Sequence, residues 1–245
     1  MIKRTLYFGN PAYLSTENRQ LVIRLPDKCG SGNAVTKSIP IEDIGVVVLD
    51  NRQITITQAA LESLSENASA VIVCDSTHHP VSLQLPLDGN TLQSERFAAQ
   101  IRASLPLKKQ LWQQTIQCKI RNQAMVLSSI RNCETGNMIA WSSQVKSGDS
   151  DNLEARAAAY YWRNMFPSVP DFTRDRYGCQ PNNLLNYGYA ILRAVVARAL
   201  VVNGLLPTLG IHHHNRYNAY CLADDIMEPY RPFVDCLLYT SPSPR

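Results

Sequence analysis

Charge is scarce in this chain. Lys, Arg, Asp and Glu together make up 18% of its 245 residues, against 45% hydrophobic residues. That balance excludes wholesale disorder and supplies enough apolar side chain to bury real cores. No segment repeats, and the composition excludes collagen, coiled-coil and low-complexity architectures. The seven cysteines, at 29, 74, 118, 133, 179, 221 and 236, include no C-x-x-C pair and no finger spacing with histidine. Their odd number and scatter fit the reduced thiols of a cytoplasmic protein. A signal peptide's continuous apolar stretch is also missing, since Met1-Ile2-Lys3-Arg4 runs into Thr5-Leu6-Tyr7-Phe8-Gly9-Asn10. Residues 184–202 are apolar but contain Arg193 and Arg198, each costing about 2.5–3.5 kcal/mol at a bilayer centre. A buried helix, and no membrane partner, is expected there.

What charge there is lies unevenly. The net value is +4, but residues 1–90 hold 7 Lys and Arg against 9 Asp and Glu, whereas residues 91–245 hold 17 against 11. A polyanion would therefore meet the second part of the chain.

The hydrophobic period changes at the same place. Leu6–Phe8, Tyr13–Ser15, Gln20–Leu25, Ile44–Asp50, Ala70–Cys74 and Val81–Leu85 are short β-rich segments set between turn residues such as Gly9-Asn10-Pro11, Asp27–Asn33 and His78-His79-Pro80. One helix, capped by Thr57, interrupts them. After Asp88-Gly89-Asn90 the apolar residues recur at helical spacings: Phe97, Ile101 and Leu105, then Leu107, Leu111, Ile116, Ile120, Leu127 and Ile130, with Pro106 between two helices. A loop at 147–150 precedes an Ala-rich helix from Ala155 to Phe166. A second loop, 171–179, precedes a long helix from Asn182 or Asn183 to Gly204, apolar nearly all round and so expected through the domain's centre. The fold class is α+β: a small β-rich domain over 1–88, a linker at 89–94 and a helical domain over 95–235.

Three segments of that helical domain carry the chemistry-bearing residues. Glu154 follows Asp151 at capping-box spacing, which also gives it a purely structural role. Gly210-Ile211-His212-His213-His214 cannot aim all three imidazoles at one ion, because adjacent side chains diverge, and the chain offers no further ligands at zinc spacing. Asp225 and Glu228 share a helix face at i, i+3 among Ile226, Met227, Pro229 and Arg231. Together they supply one imidazole and two or three carboxylates, a hard donor set suited to Mg²⁺ or Mn²⁺. In a basic domain the substrate for such an ion is a phosphodiester.

These residues carry a resemblance. The sequence is similar to the integrase of CRISPR adaptation, most closely its type II branch, over nearly the whole chain. Residues Leu6 to Ser15 and Gln20 to Ile23 look like its opening strands. Pro181 to Ala190 look like its long helix, Gly204 to Pro207 with Gly210 to His213 like the turn that delivers its histidine, and Asp225 to Pro232 like its acidic helix. The resemblance implies a metal-dependent DNA endonuclease and integrase that inserts spacers by 3′-hydroxyl attack on a phosphodiester. It implies a metal held by Glu154, His213 and Glu228, with Asp225 in support. It also implies a homodimer through the β-domains, double-stranded DNA as substrate, and a second small CRISPR adaptation protein as partner. Lys108, Lys109, Lys119, Arg121, Arg193 and Arg198 are candidates for positive surface. Against the resemblance, residues 236–245 look like a foreign tail, as expected of a truncated reading frame. Two other functions stay open: a catalytically silent DNA-binding scaffold, and a general metal-dependent hydrolase of small phosphoesters.

Overall fold

The structure is a computed structural model that describes residues 3–26, 35–169, 172–175 and 178–240. The chain divides into two compact units, residues 1–94 with 197–205, and residues 95–196 with 206–245.

In the first unit, β1 (Arg4–Phe8), β5 (Ile44–Leu49) and β7 (Ala70–Cys74) run parallel, and β8 (Pro80–Gln84) closes that sheet antiparallel to β7. The second sheet has the order β4-β3-β2-β6, built from β2 (Ala12–Glu17), β3 (Gln20–Leu25), β4 (Val35–Pro40) and β6 (Ile54–Ile56). All six residues of β5 are buried, as expected of a parallel strand read as an unbroken β-branched run. In β2, Ala12 and Leu14 point inward while Tyr13 faces out, the period-2 pattern of a half-buried strand. Leu14, Leu21, Ile44, Val47, Leu64 and Val71 belong to the unit's core, to which α1 (Gln58–Glu66) contributes; its N-cap Thr57 Oγ1 accepts from Ala60 N–H at 3.3 Å. Two strands, β4 and β6, had no expectation. Five of the six residues of β4 are exposed, so it carries no hydrophobic alternation, and β6 is only three residues long. The turn expected at Asp27–Asn33 lies outside the described residues.

The second unit is helical. α2 (Gln93–Ile101) leads into α3 (Leu105–Arg131), whose Ser104 caps the helix and whose Pro106 sits in the first turn. Trp112, Ile116, Ile120 and Ala124 form one i, i+4 stripe on α3, joined by Gln123 and Leu127, all buried. Around it lie α4 (Gly136–Gln144), α5 (Leu153–Met165), α7 (Cys221–Met227), a 3₁₀ turn at Glu228–Tyr230 and α8 (Arg231–Thr240).

Two expectations need correction. The helix packed on the most neighbours is α3, not the apolar α6 (Asn182–Val202). α6 is long and apolar enough to cross a membrane, yet only 33% of its apolar window is buried, and Leu184 and Val195 stay exposed. Residues 197–205 group with the β-rich unit instead of the helical one: the Arg198 side chain donates to the Ala68 carbonyl, and Asn90 donates to the Val202 carbonyl at 3.0 Å. Of the expected tail, Cys236–Thr240 are helical and continue α8; residues 241–245 lie outside the described residues.

Candidate active site

Asp149 builds the start of α5. Its carboxylate oxygens accept from the N–H groups of Leu153 and Glu154, each at 2.9 Å, so two of the helix's orphan donors are satisfied from outside it. The capping box expected from Asp151 does not form: Asp151 instead pairs with Lys146 at 2.8 Å on the surface. This frees the Glu154 side chain, which points to Lys119.

Lys119 lies three residues after Ile116 and four before Gln123, along the buried side of α3, and its side chain is only 12% exposed. Its Nζ stands 2.6 Å from Glu154 Oε1 and 2.6 Å from Glu228 Oε2. The first contact is an aligned hydrogen bond; the second is an ion pair whose angle does not satisfy a hydrogen bond. Arg231 Nε approaches the other oxygen of Glu228 at 2.9 Å. Burial alone would lower the Lys119 ammonium, but the two carboxylates outweigh it and hold the group above its ordinary range. Burial likewise works to raise Glu228, and the Lys119 and Arg231 charges outweigh it, keeping the carboxyl ionised.

Asp225, fully buried on α7, organises the histidine turn. Its Oδ2 accepts from Ile211 N–H at 2.7 Å and His212 N–H at 2.9 Å, and its Oδ1 accepts from His213 N–H at 3.2 Å. Oδ1 also takes His213 Nδ1 at 2.5 Å. A Cβ on Gly210 would run into the His213 carbonyl and the Asp225 carboxylate, so only glycine allows the turn to close this tightly. The Asp225 hydrogen bond raises His213, against burial that lowers it. Opposite an ionised carboxylate the imidazole carries its proton on Nδ1, which leaves Nε2 as the nitrogen for a ligand. His212 has a different role. Its ring stacks on the buried Trp112 at 4.0 Å and 2°, and burial lowers its pKa.

The structure thus brings Glu154 and Glu228, 74 residues apart in sequence, to one cation, and sets His213 and Glu228 close enough to act electrostatically on each other. Among the described residues no three His, Cys, Asp or Glu side chains gather closely enough to hold a metal. An ammonium stands between the two carboxylates, and Asp225 is spent on the histidine turn. Two carboxylates that share one buried cationic centre are the hard oxygen donors that Mg²⁺ and Mn²⁺ take, and His213 keeps Nε2 as a further donor; bringing all three onto one ion requires the ammonium to leave and the side chains to close in.

Of the basic residues expected at the surface, Lys119 is interior. Arg193 pairs with Asp224 at 2.6 Å, and Arg198 serves the β-rich unit; Lys109 and Arg121 are exposed. Lys119 and Asp149 are the site residues that sequence reasoning missed. The i+3 spacing from Ile116 was the available signal for Lys119. Asp149 caps across the three residues 150–152 that precede α5, for which spacing gives no rule.

The sequence profile of the family described as CRISPR associated protein Cas1 matches residues 6–241. The chain is 39% identical over 241 residues to the CRISPR-associated endonuclease Cas1 of Neisseria meningitidis serogroup C (strain 8013), covering 96% of this chain and 74% of that protein. It is 26% identical over 220 residues to a CRISPR-associated endonuclease Cas1 of Pyrobaculum aerophilum, covering 84% and 74%. Among solved structures, a casposase bound to integration product aligns with TM-score 0.75 at 21% identity, over 98% of this chain and 72% of that one. A Cas1 protein from Thermotoga maritima aligns with TM-score 0.73 at 17% identity, over 96% and 77%. Both likenesses concern the fold.

Proposed function

The chain belongs to the CRISPR-associated Cas1 family of endonucleases and integrases, and we propose that it inserts prespacer DNA into a CRISPR array in a divalent-metal-dependent reaction. The observation that carries this reading is the convergence of Glu154 and Glu228 on one cationic position, beside an imidazole held by Asp225.

Glu154, Glu228 and the Nε2 of His213 would hold Mg²⁺ or Mn²⁺. When bound, such an ion stabilises charge on phosphoryl oxygens and lowers the pKa of a hydroxyl. Asp225 fixes the imidazole's tautomer and direction, the task of a carboxylate behind a metal-ligating histidine. Arg231, on the far oxygen of Glu228, keeps that carboxylate ionised and aimed. The chemistry is transesterification: the 3′-oxygen of the incoming strand forms a bond to a phosphorus of the target strand, the bond from that phosphorus to the target strand's 3′-oxygen breaks, and the proton of the attacking hydroxyl passes through solvent to the departing oxygen. Water in place of the 3′-hydroxyl gives endonuclease cleavage. No side-chain nucleophile takes part, so the cysteines have no role in the step.

The substrate is double-stranded DNA with free 3′ ends, drawn to the basic second part of the chain. The working assembly is a homodimer through the β-rich units together with a second small CRISPR adaptation protein. An integration assay with the protein, that partner and Mn²⁺ tests the reading. Glu154→Ala, His213→Ala and Glu228→Ala should each abolish strand transfer and leave salt-dependent DNA binding in place, and full activity in any of the three removes the mechanism.

A catalytically silent DNA scaffold is the second reading. One observation favours it: the ammonium of Lys119 already neutralises the carboxylates. It requires tight DNA binding with no response to Mn²⁺.

A further inference from the structure

Lys119 is the one buried cation that contacts both Glu154 and Glu228 among the described residues. With Arg231 on the opposite oxygen of Glu228, the chain Glu154, Lys119, Glu228, Arg231 holds two negative and two positive charges and is neutral as it stands. Removing the ammonium would leave a carboxylate pair with one counter-charge in a buried setting, where like charges strain against each other. Adding a divalent ion while the ammonium stayed would leave two excess positive charges in the same volume, an unfavourable arrangement away from water. A divalent ion seated between Glu154 Oε1 and Glu228 Oε2 would occupy the ammonium's own position.

We propose that Lys119 is a resident counter-ion: it holds the carboxylates of Glu154 and Glu228 together in the ion-free protein and yields its place when a divalent ion binds. This rests on the reading that these carboxylates bind such an ion. Lys119 is a positioning residue. It keeps two groups from distant helices in register, so that ion binding does not have to assemble them, and it competes with the ion for the same oxygens. The side chain has somewhere to go. Beside Glu228 lies a cavity of about 130 Å³, lined by Lys119, Gln123, Arg174, Tyr189 and Asp235 among others, and the Oε1 of Gln123 there is a buried acceptor without a partner. A displaced ammonium can donate to it.

The test compares the full-length protein with Lys119→Met and Lys119→Arg in the absence of DNA. Without metal, Lys119→Met should melt about 10 °C lower, the scale expected when one partner of a buried ion pair is removed, and Lys119→Arg should restore most of the loss. Titrated with Mn²⁺ by calorimetry, Lys119→Met should bind about five-fold more tightly or better, the scale of ordinary coupling between ligands, and recover its melting temperature. A purely structural lysine would leave Mn²⁺ affinity unchanged. Unchanged or weaker Mn²⁺ binding in Lys119→Met, with the wild type still binding, overturns the proposal alone. No Mn²⁺ binding in either protein overturns the metal reading with it.

The wild type supplies a second measurement that does not depend on how a variant folds, the ¹⁵N resonance of the Lys119 ammonium with diamagnetic Mg²⁺. It should shift when Mg²⁺ saturates the protein, because the ammonium leaves two carboxylates for an amide oxygen. The same resonance in both states contradicts the displacement.

Discussion

Asp225 shows how much of a catalytic geometry one buried carboxylate can set. Its two oxygens collect three backbone N–H groups and one imidazole nitrogen, so the turn and the histidine are oriented by the same group. Asp225→Asn keeps the shape but loses an acceptor, and should reduce strand transfer about 10–100-fold, the usual cost of losing a carboxylate behind a ligating histidine; initial integration rates check this. His212→Ala removes a stack on Trp112 and should cost less than His213→Ala in the same assay. A second buried carboxylate, Asp235, has burial as its dominant influence. Tyr189 and Tyr161 hydroxyls donate to it at 2.5 and 2.9 Å, and Arg231 and Arg174 pull the other way, yet its pKa is pushed up to about 6. The folded form then binds a proton more tightly than the unfolded chain does, so this group's contribution to stability falls as pH rises from about 4 towards 6. Asp235→Asn should flatten that part of the melting-temperature profile, and an unchanged slope would contradict it.

At the scale of elements, the start of α5 is decided by Asp149 and not by Asp151. Asp149→Ala should cost about 1 kcal/mol, the usual value of a lost N-terminal cap, whereas Asp151→Ala, an exposed partner of Lys146, should be near neutral; urea titration separates the two. The contrast marks what was legible in the sequence. Strands with alternating or continuous β-branched runs, such as β3 and β5, and helices with clear caps, such as α1 and α3, could be read because local pattern and local structure agree. β4 and β6 could not, since an exposed edge and a three-residue pairing leave no period. The pattern also misjudged α6, because an apolar sequence reports what a helix can bury and not what lies against it. Within the site, the types and positions of Glu154, His213, Asp225 and Glu228 were legible. The lysine between two of them was not, because a single Lys on a long helix reads as solvated unless its neighbours' burial is known.

For the whole molecule, the β-rich unit carries the negative balance and the helical unit the positive one, so chemistry and expected DNA attraction belong to the same part of the chain. Log DNA affinity should fall linearly with log salt and with the same slope in wild type and Glu154→Ala, since Glu154, 26% exposed and paired with Lys119, is not a phosphate-binding cation. The central claim is that three side chains from α5, the histidine turn and the acidic turn share one divalent ion. The most direct measurement is anomalous diffraction at the manganese edge from crystals of the full chain grown with Mn²⁺. One peak within about 2.0–2.3 Å of carboxylate oxygens of Glu154 and Glu228 and of Nε2 of His213 is expected, with Lys119 withdrawn from between the carboxylates. A well-ordered site at saturating Mn²⁺ that shows no peak there, with the lysine still bridging, would contradict it.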